Sequence, residues 1–489
     1  MNAVEYQKYD GIALAELVRR GEVSPGELLE AALARLSEVN PILNAVVVDL
    51  QEHARAAIAA GLPEGPFTGV PFLLKDITTQ MAGAPTSAGS RLFAGSVART
   101  DSALVANYRR AGLVIFGKSN TPELGLVGIT EPALWGATLN PWNLERTCGG
   151  SSGGSASAVA AGITPMAHGG DGGGSIRIPA SCCGVFGLKP SRGRVSMAPQ
   201  GEGWGGLTAL HALTRSVRDS AALLDASCRP EIGDPCPLGA PATPFAEDAR
   251  RTPPKLKIAV LTTNIYGAAM EGACEDAVRN AARLCEALGH DVVETKAPSG
   301  MEALIDAVGV LVGASVKATL DGEAQRRGRP VGKDEIEPLT RLIYERAEGV
   351  SAVRYVEATQ SLHAMGRRIA AWLEPFDMIL LSTLGRPPIP IGMLQGELHD
   401  FQDVVNTFYE FGPNTQIFNI TGQPAMSVPL TWSAEGLPVG VQFAGRPAGE
   451  AMLLRLAAQL EEAQPWAHRR PPELSSQAKT IRNAEASAE

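Results

Sequence analysis

Glycine and serine crowd into two segments of the stretch from Cys148 to Arg194, and they restrict the local fold more than any other part of the chain. Residues 149–155 read GGSSGGS and residues 171–175 read DGGGS. Because glycine loses more backbone entropy on folding than other residues, each run disfavours a helix interior or a strand and predicts a shaped loop. Small residues at 157–161 predict a buried, closely packed helix that ends at Gly162.

The two segments belong to a packed core. An isolated GGSSGGS is typical of a flexible linker, but apolar sequence resumes after each segment, at 158–161 and at 176–180. Glycine in such a setting is expected where the backbone adopts a conformation or a close approach that a side chain would prevent. In the second segment, successive backbone N–H groups without side-chain bulk are suited to bind an anion or an oxyanion, and Ser175 lies beside them.

These segments resemble the amidase signature family, serine hydrolases with a Ser-Ser-Lys triad. The resemblance covers most of the chain and rests on GVPFLLKD (69–76), GKSNTPE (117–123), WGATLNPWN (135–143), GGSSGGS, DGGGSIRIPA (171–180), GLKPSRGR (187–194) and GQPA (422–425). It implies an α/β fold in which helices cover both faces of a large, mixed, twisted β-sheet. HGGDGGGSIRIPASCCG and PWAHRRPPEL are most similar to the subgroup of bacterial nylon-oligomer (6-aminohexanoate cyclic-dimer) hydrolases and aryl acylamidases.

The resemblance assigns the reacting groups residue by residue. It implies that Ser175 attacks the carbonyl carbon and passes its proton to Ser151, which neutral Lys75 holds. Ser151 later protonates the leaving amine. The oxyanion is expected to lie on the backbone N–H groups of Gly172, Gly173, Gly174 and Ser175.

Three further residues are expected to support this loop. In the family a cis peptide precedes the first triad serine, which here is the bond between Gly150 and Ser151. Asp171 and Arg177 flank the nucleophile and are expected to pair and hold the shape of the loop. The family often has threonine at position 172 and proline at position 148, and neither departure removes a reacting atom.

Lys75 follows a short apolar strand predicted over 70–74. Taken alone, it reads as a solvated lysine at a strand end. The resemblance instead predicts a desolvated ammonium with a lowered pKa, so that the neutral amine can act as a base near pH 7. Strand alternation turns Asp76 to the opposite face, away from Lys75.

Composition narrows the class of partner. A net charge of −9 without blocks of like charge argues against a nucleic-acid partner. The sequence shows neither a signal-peptide pattern nor an uninterrupted apolar run long enough to span a membrane, so we expect a cytoplasmic protein. Seven cysteines without CxxC pairs or histidines at ligand spacing predict no disulfide, metal or cofactor, and Cys182 and Cys183 are expected in the core.

The resemblance implies a single domain over 1–489, and the alternating helix and strand patterns indicate α/β layers. Its parts are a helical N-terminal part (1–65), a catalytic core (66–230), a second part of the sheet with substrate-pocket segments (255–470) and a frayed tail (475–489). The proline-rich segment 230–254 is expected to be a surface excursion, and 392–411 to loop over the site.

Two motif matches are rejected. Residues 112–119 fit the P-loop pattern GxxxxGKS, but their apolar centre indicates a strand. Residues 149–153 fit the nucleophile elbow GxSxG, which needs a preceding strand, whereas 140–147 reads as a turn-rich loop. None of the seven histidines has a catalytic context, which disfavours a Ser-His-Asp triad.

The sequence therefore predicts an enzyme that cleaves the C–N bond of small non-peptide alkyl or aryl amides through a serine acyl-enzyme, with carbamates and esters as further substrates. The alternative is the glutamine-hydrolysing subunit of a tRNA-dependent amidotransferase, which needs a partner subunit. We expect a monomer or a homodimer. The substrate is expected to be selected by pocket residues within 200–215 and 300–415, where no motif identifies them.

Overall fold

One mixed β-sheet organises the chain. The computed structural model describes residues 1–394 and 401–479 of the protein. The strands in these residues are β1 (Val46–Asp49), β2 (Pro71–Lys75), β3 (Val114–Ser119), β4 (Leu139–Asn140), β5 (Asn143–Thr147), β6 (Met166–Asp171), β7 (Phe186–Lys189), β8 (Ala209–Thr214), β9 (Lys257–Val260), β10 (Asp291–Glu294), β11 (Met378–Ser382), β12 (Ala425–Trp432) and β13 (Pro438–Gly445). Eleven of these strands form one sheet, and β4 and β5 form a separate hairpin.

Helices fill the intervals between the strands. In chain order they are α1 (Ala3–Tyr6), α2 (Gly11–Arg19), α3 (Pro25–Leu43), α4 (Gln51–Ala59), α5 (Ala103–Arg110), α6 (Gly153–Ala160), α7 (Arg177–Cys183), α8 (Val217–Ser227), α9 (Phe245–Asp248), α10 (Gly272–Ala287), α11 (Ala303–Arg327), α12 (Pro338–Arg346), α13 (Ala352–Leu373), α14 (Phe401–Phe411), α15 (Ile417–Ile420) and α16 (Glu450–Ala463).

The sheet has the order β1-β3-β2-β6-β8-β7-β12-β13-β11-β9-β10. Strands β3, β2 and β6 are mutually parallel, as are β11, β9 and β10, and the strands between these groups are antiparallel. Every residue of β2, β6, β8 and β13 is buried. Because successive side chains point to opposite faces, both faces of the central sheet are covered, and the predicted fold class is confirmed.

The sheet draws strands from both of the large parts predicted from the sequence. Strand β7 of the catalytic core pairs with β12 of the second part, and the segment 230–254 between them contributes only the short helix α9. This shared sheet supports the single domain, which stays a prediction.

The first glycine segment differs from the prediction. Helix α6 begins at Gly153, within the run expected to be a loop. A Cβ on Gly153 would lie 2.3 Å from Thr130 Oγ1, and one on Gly154 would lie 2.4 Å from the backbone nitrogen of Asn120. These glycines let the helix approach its neighbours, and that close packing outweighs their low helix propensity.

The expected loop over 392–411 is in part helical. Its second half is α14, in which Val404, Val405, Phe408 and Phe411 recur at helical spacing and Phe411 is fully buried. Residues 395–400 lie outside the described part of the chain.

The predicted frayed tail is described only as far as residue 479. Residues 474–479 are helical, and Gln477 Nε2 donates to the Pro141 carbonyl at 3.0 Å. This part of the tail packs on the protein, contrary to the prediction, and 480–489 lie outside the described residues.

Helix α11 is, within the described residues, the one helix long and apolar enough to cross a membrane by length and composition. Of its most apolar window, 44% is buried inside the protein, and the helix packs against α12 and α13. Its residues Leu304, Val308 and Leu311 join the hydrophobic cluster that contains Leu381 of β11. The apolar character of α11 therefore serves core packing.

Candidate active site

The predicted base and the first predicted serine meet at the end of β2. Lys75 closes this strand, is 2% exposed, and lies with its Nζ 2.6 Å from Ser151 Oγ. The same Nζ lies 3.3 Å from the Gly170 carbonyl oxygen. Lys75 is thus a buried group with a serine hydroxyl as partner, as the resemblance implied.

Burial decides the charge state of Lys75. Removal from water lowers its pKa from 10.5 to about 7, although the negative charge of Asp171 opposes this shift. The next residue, Asp76, is turned away from Lys75 as predicted, because its carboxylate accepts hydrogen bonds from Ser87 and lies 3.9 Å from Lys118 Nζ. A substantial fraction of Lys75 therefore carries the neutral amine near neutral pH.

His168 holds the backbone of Lys75, a contact that no motif indicates. Its Nδ1 accepts the backbone N–H of Lys75 at 3.3 Å, where β2 and β6 are joined by the single bridge between Leu73 and Ala167. Burial, together with the neighbouring Lys75 charge, keeps the pKa of His168 well below its ordinary value. A neutral imidazole thus completes the sheet beside the lysine.

The two glycine segments lie against each other. The Gly150–Ser151 peptide is cis, as predicted. A Cβ on Gly150 would lie 2.3 Å from the Ile129 carbonyl oxygen, so only glycine fits there. The N–H of Ser152 donates to the carbonyl of Ser175 at 3.1 Å, which brings Ser151 and Ser175 into adjoining loops. Ser175 is 8% exposed and Ser151 is 3% exposed.

The nucleophile loop is wound around the carboxylate of Asp171. Gly174 N–H donates to Asp171 Oδ1 at 2.7 Å, and Ile176 N–H donates to Oδ2 at 3.1 Å. The prediction that Gly174 donates to an oxyanion is therefore wrong for this conformation, because a buried carboxylate already accepts that N–H. Gly172, Gly173 and Ser175 are left as candidate donors.

Asp171 and Arg177 form the predicted pair. The guanidinium donates from Nε to Oδ2 at 2.9 Å and from Nη2 to Oδ1 at 2.8 Å, and both side chains are fully buried. Burial alone would raise the pKa of Asp171, but the Arg177 charge holds it well below its ordinary value. Arg177 also donates to the Thr415 carbonyl, to Asn419 and to Gln442. The pair thus joins the loop to distant parts of the chain.

Neutral side chains from later in the chain lie against the nucleophile loop. A Cβ on Gly172 would lie 2.7 Å from the Trp204 ring. Thr415 Oγ1 donates to the Gly173 carbonyl at 2.7 Å. Trp204 and Thr415 fall within the ranges 200–215 and 300–415, where pocket residues were expected. Gln416, whose Nε2 would lie 3.4 Å from a Cβ on Gly173, lies one position beyond the second range. No sequence motif identifies these residues.

The two rejected motif matches lie at strands β3 and β5. The P-loop match lies in strand β3, and its Lys118 is buried with Nζ 2.6 Å from Thr86 Oγ1, so the rejection is confirmed. The reason for rejecting GxSxG was wrong, because strand β5 does precede it. Ser151 of this motif nevertheless forms its hydrogen bond with Lys75 and not with a histidine. The rejection of a Ser-His-Asp triad at this motif therefore stands.

The structure shows the state of every cysteine. All seven cysteines are free thiols in the structure. Cys182 and Cys183 are fully buried, as predicted. Among residues 1–394 and 401–479, no group of three or more His, Cys, Asp and Glu side chains could hold a metal ion.

Comparison with known proteins identifies the family. The family model Amidase matches residues 27–454. The chain is 39% identical over 475 residues to the 6-aminohexanoate-cyclic-dimer hydrolase of Paenarthrobacter ureafaciens, covering 94% of this chain and 96% of the relative.

Solved structures give the same assignment. A 6-aminohexanoate cyclic dimer hydrolase complexed with substrate superposes with a TM-score of 0.90 at 38% identity, covering 96% of this chain and 99% of the other. A bacterial aryl acylamidase of the amidase signature family superposes with a TM-score of 0.84 at 26% identity, covering 94% and 97%. These similarities confirm the family and the subgroup predicted from the sequence. The chain belongs to the amidase signature family of hydrolases.

Proposed function

We propose that this amidase cleaves small non-peptide amides through a covalent acyl-enzyme on Ser175. The observation that carries the proposal is the 2.6 Å contact between Lys75 Nζ and Ser151 Oγ, made by a buried lysine whose pKa burial lowers to about 7. A serine hydroxyl bound to a neutral amine can accept a proton on one side while it gives one on the other.

In the first half-reaction, Ser175 Oγ attacks the amide carbon and its proton passes to Ser151, whose own proton moves to Lys75 Nζ. The tetrahedral intermediate then collapses. As its C–N bond breaks, the proton returns through Ser151 to the leaving nitrogen, and the amine departs. Water attacks the ester on Ser175 by the same proton route, and the carboxylic acid leaves.

The negative charge of each tetrahedral intermediate falls on the carbonyl oxygen. We assign its stabilisation to the backbone N–H groups of Gly172, Gly173 and Ser175, because Gly174 already donates to Asp171. Donors that the fold fixes in advance stabilise the transition state without reorganisation. Asp171 and Arg177 act as positioning residues that keep this loop in shape.

Neutral surroundings favour an uncharged substrate. Trp204, Thr415 and Gln416 are neutral side chains that lie against the nucleophile loop, and a similar relative carries the name 6-aminohexanoate-cyclic-dimer hydrolase. We therefore propose cyclic and linear alkyl or aryl amides as substrates. Carbamates and esters follow as further substrates, since an acyl-enzyme can form from either.

The test is hydrolysis by the purified chain alone of cyclic and linear amides, anilides, carbamates and glutamine, with intact-protein mass measured during turnover. We expect an acyl adduct on Ser175 and no adduct or turnover in Ser175→Ala, which should stay folded because the change removes only one hydroxyl oxygen. An active Ser175→Ala enzyme would refute the mechanism.

The same experiment decides between the two functions predicted from the sequence. A stand-alone amidase should hydrolyse apolar amides much faster than glutamine and should purify without an obligatory partner. Efficient glutamine turnover that requires a second subunit would favour the amidotransferase alternative.

A further inference from the structure

Segment 414–419 is fastened to the nucleophile loop at several points. Thr415 Oγ1 donates to the Gly173 carbonyl at 2.7 Å, and Asn419 Nδ2 donates to the Asp171 carbonyl at 2.8 Å. Arg177 Nη1 donates to the Thr415 carbonyl at 2.7 Å. Side chains of this segment therefore keep a fixed position relative to the loop that carries Ser175.

Gln416, the next residue of this segment, places its side-chain amide beside Gly173. A Cβ on Gly173 would lie 3.4 Å from Gln416 Nε2, and the Gln416 residue is 9% exposed. The hydroxyl of Tyr409 donates to Gln416 Oε1 at 2.6 Å. Because the oxygen is held by this donor, the N–H groups of the amide are turned toward the loop.

Tyr409 is itself held by aromatic rings. Its ring meets Tyr266 edge-on at 5.8 Å between centroids and Phe408 at 5.5 Å. Such pairs fix the direction of the phenol group. Burial raises the pKa of Tyr409, so its hydroxyl stays protonated and remains a donor.

We infer that Gln416 binds a second carbonyl group of the substrate, apart from the scissile one, and that Tyr409 positions it. The inference rests on the proposed amidase function and adds a residue that would select, within it, substrates with two amide groups. Gln416 offers neutral N–H donors, which suit the neutral oxygen of an amide, whereas recognition of a carboxylate favours arginine or lysine. The second amide of the substrate supplies the acceptor.

The test compares two anilides of equal chain length, 6-acetamidohexanoyl p-nitroanilide, which has a second amide, and nonanoyl p-nitroanilide, which lacks it. The measured quantity is the ratio of their kcat/KM values. Loss of one hydrogen bond to the substrate is expected to lower this ratio about tenfold in Gln416→Met. Tyr409→Phe should lower it less, and the double variant should match Gln416→Met, because Tyr409 acts through Gln416.

Gln360→Met is the matched control, since Gln360 is exposed on α13, and its ratio should equal that of the wild type. If Gln416→Met does not fold, Gln416→Glu gives the second test, because a carboxylate cannot donate and should lower the ratio as well. An unchanged ratio in a folded Gln416 variant overturns the inference. A wild type that cleaves neither anilide nor any other amide refutes the proposed function instead.

Discussion

At the scale of a single residue, the chemistry of Lys75 depends on where the sheet buries it. An exposed lysine at a strand end would stay protonated at neutral pH, whereas burial lowers the pKa of Lys75 to about 7. The Asp171 charge opposes this shift, but Arg177 pairs with that carboxylate. The fold thus yields an amine that can take a proton from Ser151.

Replacing Lys75 with arginine tests whether the residue acts as a base. Arginine stays protonated in a protein, so Lys75→Arg should lose as much activity as Lys75→Ala, about 10²–10⁴-fold in kcat/KM. In the wild type, kcat/KM should rise with pH as Lys75 deprotonates around pH 7. This rise should disappear in both variants, and the measurement is the pH–rate profile.

Lys255→Ala serves as the control, because Lys255 is a surface lysine 2.7 Å from Asp291 and should leave the profile unchanged. If Lys75→Arg retained wild-type activity, lysine would supply only a charge and the proton route would be wrong.

Residues with a motif could be predicted and residues without one could not. Lys75, Ser151 and Ser175 lie in recognisable sequence motifs. The contact between Lys75 and Ser151 is the one that the resemblance implies. His168 opens one of the quoted segments, but nothing in that segment indicates its contact with Lys75, and Gln416 lies outside every quoted motif. Their roles come from contacts with strand β2 and with Gly173, which arise only when distant segments pack together.

At the scale of structural elements, the turn between β6 and α7 is a preorganised unit. One carboxylate, Asp171, accepts the N–H groups of Gly174 and Ile176 and a two-point bond from Arg177. Arg177 then reaches Gln442 in β13. The buried ion pair is therefore one of the contacts that fix the position of the nucleophile loop.

Arg177→Met should destabilise the protein and the loop together. It leaves the buried Asp171 carboxylate without its cation, which typically costs about 3–5 kcal/mol in the free energy of unfolding. Above pH 4 the wild type gains stability from the depressed pKa of Asp171, and this gain is lost as the pH falls through that pKa. The deficit of Arg177→Met should therefore shrink in acid.

Urea unfolding of both proteins across pH measures this deficit. Arg279→Met is the control, because Arg279 forms an exposed pair with Glu275 on α10 and its loss should not change stability. A deficit equal to that of the control would mean that the buried pair does not hold the loop.

The same scale explains the wrong element boundaries. Gly153 and Gly154 were assigned to a loop because their helix propensity is low, but the close approach of Thr130 and Asn120 requires them inside α6. The hairpin of β4 and β5 was missed because Asn140 and Pro141 read as turn residues. Packing against neighbours, which a single sequence does not contain, decided both cases.

At the scale of the whole molecule, the beginning, middle and end of the chain meet at one polar cluster. Asp219 at the start of α8 accepts the N–H groups of Gly11 and Ile12 at 2.7 and 2.9 Å. Glu461 of α16 accepts the N–H of Val217, and Arg215 donates to the Gln7 carbonyl. The N-terminal helical part is therefore fastened to helix α8 through a buried carboxyl group.

This cluster predicts a stability that depends on pH. Burial, and then the charge of Asp10, raises the pKa of Asp219 from 3.8 to about 7. Between these values the folded protein keeps a proton that the unfolded chain releases, so the contribution of Asp219 to the free energy of unfolding falls as pH rises, by up to about 1.4 kcal/mol per pH unit.

Asparagine does not titrate, so Asp219→Asn removes this dependence on pH. The free energy of unfolding of the wild type minus that of Asp219→Asn should therefore decrease from pH 4 to pH 7 and then level off, as measured by urea unfolding. Glu461, whose pKa burial also raises to about 7, titrates in both proteins and largely cancels in the difference. A difference that stays constant or grows with pH would mean that Asp219 is ionised in the folded protein and holds the N-terminal helix as a charge.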